Sequence, residues 1–192
     1  IVQYISQLQI TIIGGGINVF FVVLVLLCLK MRHQGIETIG LKEGNIRLSF
    51  VLGGTLAAFL FFCNCLSNVL FEHQSFIDFA DILIYFVYFF TVGLVEEVLF
   101  RGYLQTRLHS LLKHILLDVL VTGVLFVLMH FPFRMVAYDM SFWEIISNVR
   151  YIADLFITHL ILSYIRIKSD SLYGAILPHW VSDFAYRIVT HI

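Results

Sequence analysis

With 192 residues, the chain has room for one helical bundle and none for a separate soluble domain. Hydrophobic residues make up 60% of it, charged residues only 13%, and mean hydropathy is +0.92, which excludes an ordinary soluble domain, where roughly 45–50% of residues are apolar. The formal net charge of -1 gives no sign of nucleic-acid binding. The reading that remains is an all-α, multi-pass integral membrane protein, one transmembrane domain over residues 1–192. The chain opens on Ile1 instead of methionine, which implies trimming or processing. Cys28, Cys63 and Cys65 all fall in apolar runs and read as small buried hydrophobes, not as a disulfide or metal set.

Gaps between charges mark about six spans, each needing about 20 apolar residues. The first covers residues 10–29, too long and too poorly flanked by basic residues for a signal peptide, with Gly14, Gly15 and Gly16 suited to close helix contact. A polar loop over 30–47 follows, carrying Lys30, Arg32, Lys42 and Arg47. The second span covers 48–70, and FEHQSFIDFAD then brings three acidic residues and no Lys or Arg. The third runs from Ile82 through Glu96 to Leu104, before an interfacial stretch with Arg107, His109, Lys113 and His114. The fourth runs from Asp118 to Tyr138, with Pro132 placed to kink or end it beyond His130. After the polar loop DMSFWEIISNVR come a short fifth span, 151–167, with Asp154 and His159, and a sixth, 171–190, containing LPHWVSDF. Lys and Arg concentrate in the first, third and fifth loops, so those should face the cytoplasm and both termini should face away.

Within the third span, VGLVEEVLFRGYLQTRL sets two carboxylates and an arginine into an apolar run. An ionisable group near the bilayer centre costs roughly 2.5–3.5 kcal/mol on insertion scales, so these groups must compensate one another or serve a purpose. Glu97 and Arg101, four apart, share a helix face, whereas Glu96 is turned about 100° away. One glutamate is thus paired and the other is free for chemistry. The bland alternative is a helix end reaching the headgroups with both glutamates solvated.

Two further spans carry histidines with a partner one turn away, Phe126 with His130 and His179 with Asp183. A lone intramembrane histidine is usually a hydrogen-bond donor between helices. Three spans each donating a costly ionisable group make one internal pocket, lined by Glu96, His130 and His179, the economical arrangement. Desolvation makes a carboxylate such as Glu96 a stronger base for a water molecule, and a histidine held by a carboxylate can stabilise an oxyanion.

EEVLFR at 96–101, FVLMH at 126–130 and HWVSD at 179–183 resemble the EExxxR, FxxxH and HxxxN/D motifs of the CPBP family, which contains the type II CAAX prenyl proteases and the bacteriocin-processing Abi proteins. The resemblance covers residues 80–190 as a catalytic core. It implies a glutamate-dependent intramembrane endopeptidase acting on a membrane-associated protein or peptide, with Glu96 as base, His130 assisting, and His179 with Asp183 holding the oxyanion. Glu97, Arg101 and Phe126 are supporting residues. Asp183 departs from the pattern: where asparagine offers an N–H, an ionised aspartate only accepts, so it fits orientation of His179 better than direct donation.

No cofactor is implied. Zinc is the competing reading, but HExxH is absent, so no helix offers two histidines one turn apart. The rivals from other classes are a non-catalytic immunity or adaptor protein on the same scaffold and a transporter, for which no broken-helix repeat speaks. Asp118 near the cytoplasmic end reads as solvated, Asp154 as paired with Arg150, His159 as an interhelical hydrogen bond, and YFVYFF at 85–90 as lipid-facing surface. The small size points to a bacterial cell membrane, and counting along the helices puts the pocket in its cytoplasmic half, with span four kinked or sunk to bring His130 into line.

Overall fold

The computed structural model describes residues 7–42 and 44–190. Ile1, and with it the expectation of a trimmed start, lies outside them. Among the described residues seven helices follow one another: α1 (Gln7–Met31), α2 (Ile46–Phe71), α3 (Phe79–Leu112), α4 (Ile115–Ala137), the short α5 (Phe142–Ser147), α6 (Val149–Ser169) and α7 (Tyr173–Arg187). The protein is an all-α membrane bundle. Helices α1 to α4 are long and apolar enough to cross a bilayer. The two remaining spans of the sequence reading are polar or short for physical reasons: α6 carries Arg150, Asp154, Arg166 and Lys168, and α7 has 15 residues, about 22 Å against a hydrocarbon core of about 30 Å.

Helix α7 is the inner element, packed against α2, α3 and α6. Its crossing with α2 is backbone on backbone, because Gly53 and Gly174 face each other and a Cβ on either would overlap the opposite chain. Gly93 does the same for α3, where a Cβ would sit 3.1 Å from the Trp180 nitrogen. Trp180 fills the space between Phe86 and Phe90 and donates its indole N–H to the Phe86 carbonyl, 3.0 Å away. The loop between α2 and α3 is clamped to the far end of α7 by Ile77 N–H to Ile188 O (3.1 Å) and Thr190 N–H to Ser75 O (2.9 Å).

The first, third and fifth loops lie together at the other end. Arg107 donates to Gln34 at 2.6 Å, Lys42 Nζ lies 2.5 Å from Asp170 Oδ2, and Leu172 N–H donates to Gly40 O at 2.9 Å. Beside Asp170, the Lys42 ammonium donating to it holds its carboxyl below the usual range. Ile39, fully buried, forms a floor on which both Gly102 and Leu172 rest.

That floor corrects two expectations about length. The stretch from Arg107 onward is not a separate interfacial segment but the continuation of α3, which ends only where Lys113 turns left-handed. Pro132 does not end α4 either, and the helix continues to Ala137. Counting about 1.5 Å per residue, Glu96 and His179 each rise about 9–10 Å above Gly102 and Leu172 respectively. His109 lies about 10 Å below Gly102, its ring bonded to Asp118, and His130 rises about 18 Å from there. All three arrive at one level without α4 having to sink.

Candidate active site

The α3 backbone widens to a π-helix over Glu97–Leu104. The looser turn narrows the angle between successive side chains, so Glu96 and Glu97 both face α7; such widened turns recur at functional sites. Glu97 and Arg101 are fully buried, and Arg101 Nη1 donates to Glu97 Oε1 at 2.9 Å. The guanidinium also lies over the Phe126 ring, its Cζ 4.3 Å from the centroid, which gives the phenylalanine of FVLMH a cation–π role.

The same Glu97 oxygen accepts from His179 Nδ1 at 2.6 Å. Here the structure differs from the sequence reading. Asp183 was expected to orient His179, but its Oδ2 lies 3.8 Å from His179 Nε2, beyond a hydrogen bond, and its side chain is 39% exposed. Glu97 is the residue that fixes the imidazole, with Arg101 holding Glu97 from the other side. No signal in the sequence marked this link, because adjacent glutamates on an ideal helix diverge.

With Nδ1 engaged, His179 turns Nε2 toward Glu96 Oε2, 3.5 Å away. His130 donates from Nδ1 to the Phe126 carbonyl at 2.8 Å and turns its own Nε2 to the same Glu96 oxygen, 3.9 Å away. That oxygen is buried and has no hydrogen-bond donor within the protein. Glu96, His130, His179 and Asp183 line one cavity of about 200 Å³, closed by Leu56 and Leu60 from α2, a helix outside the three motifs. A second cavity of about 400 Å³ continues from Ser182 and Asp183 between Tyr85, Tyr88 and Arg187. The tyrosines of YFVYFF face this cavity, whereas Phe86, Val87 and Phe90 stay exposed as the lipid-facing reading expects, Phe86 and Phe90 also packing edge-on against Trp180.

Other expectations resolve nearby. His159 makes an interhelical bond, its Nε2 to the Val119 carbonyl at 3.0 Å. Arg150 and Asp154 lie 3.9 Å apart on the exposed face of α6. Asp118 is not solvated: it is 1% exposed and bonds His109 Nδ1 at 2.7 Å, a pairing across the turn between α3 and α4 that helical spacing does not suggest. Among the described residues, no three His, Cys, Asp or Glu side chains are grouped to hold a metal ion.

Compared with known proteins, residues 78–185 match the family model described as type II CAAX prenyl endopeptidase Rce1-like. The comparisons with curated proteins and with solved structures each return no match.

Proposed function

The chain belongs to the Rce1-like family of type II CAAX prenyl endopeptidases, and from that premise we propose that Glu96 and His130 activate the water that cleaves a membrane-associated substrate. One observation carries the assignment. An unpartnered Glu96 oxygen faces two imidazole nitrogens at 3.5 and 3.9 Å, spacings that a bridging water fits. One water O–H points to Glu96 Oε2 and the other to His130 Nε2, leaving an oxygen lone pair for the scissile carbonyl. Glu96 takes the proton as the C–O bond forms and returns it to the leaving amine.

The oxyanion falls to His179. As an imidazolium it donates from Nε2, while Glu97 holds Nδ1. Charge balance favours that state: Arg101 offsets Glu97, and His179 offsets Glu96, so the buried cluster is neutral before water is deprotonated. Asp183 adds negative charge from the cavity side and makes no donation of its own. Residues 80–190 act as the catalytic core within a single transmembrane domain of six spans, α6 and α7 included. The basic loops face the cytoplasm of a bacterial cell, which puts the pocket in the cytoplasmic half of the membrane.

The reaction in this reading needs no metal, zinc being the alternative. The test is cleavage of a farnesylated CAAX peptide and of an unprenylated membrane peptide by purified protein, with and without a strong chelator. Turnover that survives chelation and disappears in Glu96→Gln is the expected result. Loss of turnover on chelation, restored by zinc, would replace the water-activation scheme with a metal centre, and turnover by Glu96→Gln would remove Glu96 from the role.

A further inference from the structure

Behind the site, away from the substrate cavity, the polar residues of three helices meet. Arg101 and Gln105 come from α3, Asp118 and Thr122 from α4, His159 and Ser163 from α6, and all six are buried. The contacts between them are few. Ser163 donates to Gln105 at 3.3 Å, His159 bonds the Val119 carbonyl, and Asp118 uses one oxygen on His109. Left without a partner in the protein are Arg101 Nε and Nη2, Thr122 Oγ1, His159 Nδ1, Asp118 Oδ1 and, at the top, Glu97 Oε2. A buried polar atom left unpaired bears its whole desolvation cost, so six in one region is far more than packing tolerates.

These atoms form a column. Asp118 and Thr122 are one turn apart on α4, Thr122 and Phe126 another, and the Phe126 ring lies under the Arg101 guanidinium and 5.7 Å from the His159 ring. At its lower end the column opens into a cavity of about 270 Å³, walled by Arg101, Gln105, Asp118 and His109, on the face that carries the basic loops. At its upper end it reaches Glu97, which holds His179.

The chemistry of the unpaired atoms identifies what fits between them. Arg101 presents two donors on one edge. His159 bonds a carbonyl through Nε2, so its Nδ1 bears a lone pair and accepts; Asp118 and Glu97 also accept, and the Thr122 hydroxyl does both. An anion would satisfy Arg101 and be repelled by Asp118 and Glu97. Water, which donates and accepts, satisfies the whole set. We propose that this column is a hydrated conduit carrying water from the basic-loop face to the back of the Glu97–His179 pair. Its use as a supply for hydrolysis, while substrate closes the front cavity, rests on the proteolytic reading above; its hydration does not.

The experiment measures hydration directly. In full-length protein held in lipid bilayers, with Cys28, Cys63 and Cys65 replaced by alanine and with Glu96→Gln, single thiols are introduced by Thr122→Cys, Ser163→Cys and, mid-span on the side of α4 that the bilayer covers, Val124→Cys. Silver ion, small enough for a narrow water path, is added to the folded protein, and each free thiol is then counted by alkylation after denaturation. A thiol in a dry apolar site stays protonated and inert, so capture at Thr122→Cys and Ser163→Cys should be at least about tenfold faster than at Val124→Cys. Size-exclusion profiles verify folding, and two positions guard against one failing to fold. A smaller difference at the positions that fold overturns the conduit. Because the Glu96→Gln background is inactive under the proteolytic reading, capture and cleavage fail independently: wild-type protein that cleaves nothing, beside Thr122→Cys and Ser163→Cys proteins that capture silver, would refute the protease and leave the conduit standing.

Discussion

Removing the Glu97 carboxylate is the most informative single perturbation, because one oxygen serves two partners. Glu97→Ala deletes the 2.9 Å bond to Arg101 and the 2.6 Å bond to His179 together. Arg101 is then a fully buried guanidinium with no acceptor within the protein. Breaking a buried pair by removing one partner costs about 3–5 kcal/mol. For a chain of this length each kcal/mol lowers Tm by about 2–4 °C, giving an expected drop of about 6–20 °C in detergent. The second arm is Glu97→Leu with Arg101→Met, which removes both charges and keeps the volume. Replacing a buried ion pair by apolar side chains is often neutral or stabilising, so this variant should melt near wild type. Cleavage should stay lost, since His179 no longer has an anchor for Nδ1. Thermal unfolding and peptide cleavage, measured on the same preparations, separate the two roles. A Glu97→Ala protein within about 0.5 kcal/mol of wild type would refute the structural pair, and an active double variant would refute the positioning of His179.

Further outcomes follow from other contacts. Glu96→Gln should abolish cleavage while unfolding like wild type, as measured by turnover and thermal melts, because its Oε2 makes no hydrogen bond within the protein to lose. Gly53→Val should destabilise by about 1–3 kcal/mol or more in a denaturant titration, since the added atoms overlap the Gly174 backbone. Asp170→Asn should weaken the link between the first and fifth loops, seen as faster proteolysis near Lys42 at neutral pH. Its sign in pH follows from a carboxyl held below the usual range when folded: the contribution is present above about pH 4, the unfolded value, and is lost as pH falls through the folded one. Wild type and Asp170→Asn should therefore differ at pH 7 and converge in strong acid.

How much of this was legible in the sequence depends on which distances a linear chain encodes. Spans one to four were readable because gaps between charges must match bilayer thickness, and Glu97 with Arg101 because helical spacing brings i and i+4 together. Convergence of Glu96, His130 and His179 followed from the cost of leaving each in lipid, which is a rule about burial and needs no geometry. The link from Glu97 to His179 was not readable, since it depends on a π-helical widening that nothing in EEVLFR announces. The lower end of α3 was misread for a related reason. The polar residues Arg107, His109 and Ser110 look like an interface, yet they continue α3 below the floor at Ile39, where His109 meets Asp118. Once Asp118 is placed there, its burial ceases to be an anomaly. It is the first group of a polar column that helical periodicity alone could hint at through Asp118, Thr122 and Phe126, and that only the packing of three helices could complete.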